Sequence, residues 1–156
     1  MKKLLLHAFA LITALLPLQL AQAAPKPPAV YGGFQVGKTF TFTVNTLSAA
    51  ANVNGQIVNP APIPKGVPAY TLGQQVTFTI GKKGELTSAG LKLGYTSDGG
   101  SSNTYSGKVK PGNVPSGIVF RDLASGEPIG VALYFISTKR SKTGISVTQV
   151  SYTLNP

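Results

Sequence analysis

Phe40-Thr41-Phe42-Thr43-Val44 and Val76-Thr77-Phe78-Thr79-Ile80 alternate an apolar side chain with a threonine or its neighbour throughout. Successive side chains on an extended strand point to opposite faces, so a period of two sends one set into a core and the other into water. A helix would scatter the same residues around its axis. Aromatic and β-branched residues also fit a pleated, half-buried surface. Burying one such Phe or Val contributes about 1.5–3 kcal/mol, so Phe40, Phe42, Val76 and Phe78 are the first expected core residues. The two stretches have matching approaches. Phe34-Gln35-Val36-Gly37 precedes the first and Tyr70-Thr71-Leu72-Gly73 the second, at a constant offset of 36 residues. The segments further out do not match, which favours two strands meeting one packing demand over a duplication.

The rest of the folded part divides into short apolar stretches between clusters of Gly, Pro, Asn, Asp and Ser. Strands are expected at 86–95, 103–109, 117–122, 129–138 and 144–154. Ile129 to Ile136 is apolar at both parities and is expected to be the most buried strand. Asn54-Gly55 predicts a tight turn with positive φ. Pro60, Pro62, Pro64 and Pro68 argue against a central strand, so 52–68 reads as a long irregular loop. Leu47 to Ala51 reads as one helical turn. Together these features predict an all-β domain over 34–156. The expected form is a single β-sandwich, immunoglobulin-like or jelly-roll-like, with about 7–9 short antiparallel strands.

The N-terminus speaks to compartment. Lys2 and Lys3 precede an apolar run from Leu4 to Leu16, followed by Pro17 and the small-residue site Ala21-Gln22-Ala23. This is the pattern of a cleaved secretory signal over 1–23, and it predicts a secreted, periplasmic or cell-surface protein. The run is shorter than the roughly 20 residues of a membrane span. No later stretch is apolar for long enough to cross as a helix. Removing the first 23 of 156 residues leaves 133, the size of one domain. Residues 24–33 (APKPPAVYGG) favour an extended polyproline conformation and read as a tether, docking at its end through Val30 and Tyr31.

The inventory of reactive groups is narrow. There is no Cys, and the single His, His7, leaves with the signal. Imidazole- and thiol-based nucleophile systems are therefore excluded, as are zinc and copper sites that rely on those ligands. No phosphate-cradling glycine loop occurs. No cofactor and no metal is expected. Asp98-Gly99-Gly100-Ser101-Ser102-Asn103 offers one carboxylate, where calcium takes several, and reads better as a flexible loop. Of the four acids, Asp122 and Glu127 flank one turn and form the only candidate pair for glycan hydrolysis, which defines an alternative reading as a small glycan-acting enzyme. Acids beside Gly more often serve the turn itself.

Charge points the other way. Lys2 and Lys3 leave with the signal, so 14 basic side chains fall to 12 against 4 acids, a net charge of +8. Such a domain is drawn to anionic polysaccharide or other anionic cell-surface components. The candidate contacts are Lys139, Arg140 and Lys142 in one turn, Lys108 and Lys110 beside Val109, and Lys82 and Lys83 in another turn. Arginine is scarce, which argues against a specific nucleic-acid reader. Tyr95 and Tyr105 are candidate stacking platforms for sugars. The leading expectation is a secreted, non-catalytic binding, adhesion or matrix module, with self-assembly through a neighbour's strand as one form. A small outer-membrane barrel is a further alternative.

Overall fold

The computed structural model describes residues 26–107 and 113–156. They form eleven strands, and among them no helix is long and apolar enough to cross a membrane. A two-stranded hairpin comes first, β1 (Val30–Tyr31) with β2 (Phe34–Gln35). Nine strands then make one antiparallel sheet. They are β3 (Thr39–Val53), β4 (Gln56–Val58), β5 (Gln75–Ile80), β6 (Leu86–Ser88), β7 (Leu91–Asp98), β8 (Ser102–Ser106), β9 (Asn113–Arg121), β10 (Pro128–Ser141) and β11 (Gly144–Asn155). From β5 onward each pairs with the next, and β3 pairs with both β5 and β11. The ladder of β3 and β5–β11 therefore closes into a ring. Only β4 stands outside it, paired to one end of β3.

The alternation read from the sequence sets which face goes inside. Phe40, Phe42, Val44, Val76, Phe78 and Ile80 are all buried, while Thr39, Thr41, Gln75 and Thr77 are exposed. On the far side Val119, Leu133, Phe135, Val150 and Leu154 complete one core. β3 then changes parity. Thr153 pairs with Thr46 but Leu154 pairs with Val44, so Asn45 is an extra residue, a β-bulge. After it the inward positions are odd, and Ala49 and Ala51 are buried. This is why Leu47 to Ala51 is strand and not a helical turn: cross-strand pairing with β11 overrides the local preference of an alanine run.

The 36-residue echo is a local two-fold in space. β3 and β5 cross with Thr41 opposite Thr77, their hydroxyl oxygens 2.8 Å apart. Gly37 N–H donates to Ile80 O at 2.8 Å, and Gly73 N–H donates to Val44 O at 2.9 Å. Ile80 N–H to Lys38 O is matched by Val44 N–H to Gln74 O, both 2.9 Å. Gly37 and Gly73 share a positive φ, 87° and 78°. The leading aromatics are both buried but serve opposite ends. Phe34 packs on Phe40 where β3 begins, with centroids 6.0 Å apart. Tyr70 packs on Tyr152 with centroids 5.2 Å apart.

Four other expectations change. Residues 86–95 are two strands, because Gly90 turns the chain with φ 74°. Residues 52–68 are not all loop: Asn54 (φ 51°) and Gly55 (φ 89°) form the turn of a hairpin that adds β4, and the irregular segment runs from 59 to 74. β10 is buried at both parities from Gly130 to Leu133, as expected, but not along the rest of its length. Ile129, Tyr134 and Ile136 are 48, 39 and 44 % exposed, because a sheet closed on itself covers only its inner face. Val30 and Tyr31 are strand rather than tether, and Tyr31 docks edge-on against Tyr95 at 5.8 Å.

Candidate binding surface

Antiparallel neighbours send successive turns to alternate ends of the ring. The turns 81–85, 99–101 and 122–127 lie at the end where β3 starts, here called lower; the β3–β4 and β10–β11 turns lie at the upper end, and the β6–β7 turn points the same way but is only three residues above the 81–85 turn. All four carboxylates fall at the lower end. Each is also engaged. Glu127 takes the Lys38 ammonium at 2.6 Å, Glu85 pairs with Lys92 at 3.2 Å, and Asp98 pairs with Arg121 at 2.8 Å. Asp122 accepts from the Ser125 N–H at 2.7 Å, the Ser125 hydroxyl at 2.9 Å and the Ala124 N–H at 3.1 Å. Backbone donors hold the Asp122 and Glu85 carboxyls below the usual range. A catalytic acid needs its proton affinity raised, whereas that of Asp122 is lowered and Glu127 is held in an ion pair with Lys38. The Asp98 loop is likewise closed on itself: Asp98 Oδ1 also accepts the Gly100 N–H, and Arg121 donates to Gly100 O as well.

The candidate cations separate into groups. Lys139, Arg140 and Lys142 sit at the upper end around the β10–β11 turn, all exposed, and Lys65 in the 59–74 segment is exposed too. Among the described residues none of these four has a carboxylate partner. Lys82 and Lys83 are in the lower turn beside Glu85, whose carboxylate accepts the Lys83 N–H at 2.7 Å. Lys108 and Lys110 lie outside the described residues.

Asn54 organises the upper tip. Its amide donates to Thr143 O at 3.1 Å, and its side-chain oxygen accepts the Ile145 N–H at 3.1 Å. The β3–β4 turn is thereby tied to the turn that carries the cations. A Cβ on residue 144 would collide with the Asn54 amide, so only glycine allows this approach.

Aromatic and polar groups occupy the inside. Tyr95 is half-buried, with Tyr31 on one side and Tyr105 on the other at 5.9 Å. Tyr105 is 1 % exposed, so its ring serves the core and offers no face to a sugar. Burial pushes its phenol up to about 12. Near it Asn103, fully buried, donates to Gly32 O at 2.9 Å and thereby fixes the β1–β2 hairpin against the lower end. A cleft of about 820 Å³ borders Tyr95, Lys92, Phe135, Asn113 and Pro68. Tyr95 is the one candidate stacking residue placed to reach a ligand there.

No protein-family model, curated protein or solved structure matches this chain.

Proposed function

We propose that this is an exported, non-catalytic binding module that attaches to anionic material at a cell surface through its upper end. One observation carries the reading: every carboxylate falls at the lower end, while Lys139, Arg140 and Lys142 stand exposed around the β10–β11 turn at the upper end with no acid to offset them. Sorting of this kind gives a molecule of net positive charge a directed field rather than a diffuse one. Export rests on the charge, apolar run and Ala21-Gln22-Ala23 site of residues 1–23. We take the closed sheet to be flattened, with β3 and β5 facing β9–β10 as the two layers of a sandwich. The engaged carboxylates weigh against the glycan-acting alternative. The polar outer positions of β3, β5 and β7 weigh against a membrane-spanning barrel, which needs a continuous apolar band outside.

The test is salt elution of the mature chain from a sulfated polysaccharide column. Changing Lys139, Arg140 and Lys142 together to Ala is expected to lower the eluting salt concentration clearly. Changing Lys82 and Lys83 at the other end is expected to matter less, although both variants lose charge. Equal shifts per charge removed, or retention that does not respond to salt, would overturn the reading.

A further inference from the structure

The upper tip has a second property besides charge. On the outer face Ile57, Ile145, Ile136, Val114 and Val147 are 71, 50, 44, 44 and 38 % exposed. The register makes them neighbours. Val114 is opposite Ile136, Val147 and Ile57 flank Asn52 from either side, and Ile145 is opposite Arg140. The outward positions of β3, β5 and β7 are polar, with Thr39, Thr41, Gln75, Thr77, Lys92 and Thr96 all exposed, while β9 and β10 also expose Phe120, Ile129 and Tyr134 below the tip. Exposed aliphatic surface and unpaired cations therefore coincide at one end, and the Asn54 bonds hold the two turns that carry them together.

Different occupants would use this surface differently. A soluble polysaccharide would engage the cations and leave the aliphatic residues in water. A second copy would bring its own cations to a surface that has no acid to receive them. An anionic lipid surface uses both features, the headgroups taking the charge and the acyl boundary taking the apolar side chains. We propose that the upper tip docks on an anionic lipid bilayer, with Lys139, Arg140 and Lys142 at the headgroups and Ile57, Ile145 and Val147 dipping below them. This rests on the upper end being the anion-binding end and names its partner.

The experiment sediments the mature chain with phosphatidylcholine vesicles with and without about 30 mol % phosphatidylglycerol, the latter supplying the anionic surface. Parent protein is expected to pellet with the anionic vesicles only. The pair Ile57→Ser and Ile145→Ser should lower that partition about tenfold, while elution from the sulfated polysaccharide column stays unchanged. The Lys139, Arg140, Lys142 triple Ala variant should lose about a hundredfold on vesicles and also elute earlier from the column. All these positions are exposed, so unchanged circular dichroism and melting confirm folding of each variant. Parent protein that ignores anionic vesicles, or an isoleucine pair that binds them like the parent, overturns lipid docking alone if the column result stands. Sedimentation showing that the isoleucine pair splits a dimer overturns it too, since a second copy then owns the patch. A triple variant that elutes like the parent removes the anion-binding reading and this one with it.

Discussion

A few side chains do work that their residue types do not announce. Asn54 adopts the left-handed backbone its turn requires and also spends its amide on the neighbouring hairpin. The Asn-Gly dipeptide made the turn legible from the sequence; the partner 89 residues away could not be read there, because it depends on which hairpin lands alongside. Tyr105 illustrates the reverse. A tyrosine between Thr104 and Ser106 looks surface-directed, yet strand parity turns it inward beside Asn103. Its phenol is held up to about 12 by burial, against about 10 in an unfolded chain. An acid whose folded-state affinity for its proton is raised stabilises the fold fully below pH 10, and this contribution disappears as pH climbs toward 12. Tyr70 and Tyr152 are raised by burial as well. Absorbance titration is therefore expected to show an early and a late class of tyrosines, and Tyr105→Phe should shrink the late one. A variant with an unaltered late class would show that the phenol is open to solvent.

Among the elements, β3 and β5 were the easiest to read and held the largest surprise. Their alternation announced strands and core residues correctly, but the matched glycines looked like punctuation. In space Gly37 and Gly73 occupy equivalent points of a two-fold, each at positive φ and each donating to the last residue of the opposite alternating stretch, Ile80 and Val44. Nothing stands within 4 Å of a Cβ built on either. Alanine there meets no steric obstacle, so its cost is that of the backbone conformation alone, about 1 kcal/mol at each site. Urea unfolding of Gly37→Ala, Gly73→Ala and the double variant should give near-equal losses that add within about 0.5 kcal/mol. Clearly unequal losses would mean that the two-fold is only apparent. The bulge at Asn45 was not legible, since an extra residue changes the parity of a strand without any marker in its composition.

At the scale of the whole molecule, the charge sorting depended on counting turns. In an up-and-down sheet the end at which a turn falls follows from its ordinal number. Reading 86–95 as one strand drops the turn at Gly90, and a count of turns made on it would place Asp98, Asp122 and Glu127 at the opposite end from Glu85. Ring closure was equally hidden, because residues 43–53 and 146–155 find each other only through the fold. Closure makes one cooperative unit of all eight strands. Leu154→Ala, at a fully buried position of the closing ladder, is expected to cost about 2–5 kcal/mol. Tyrosine fluorescence and circular dichroism should still report a single coincident transition. Separated transitions would mean that the two halves of the sheet fold apart.

The seam between β3 and β11 also governs timing. A chain emerging from a ribosome or threading through a membrane pore can form its hairpins one after another, but nothing latches them until the last dozen residues described here arrive to meet a strand made more than ninety positions earlier. Until that moment the ring stays open and its inner face is not yet sealed.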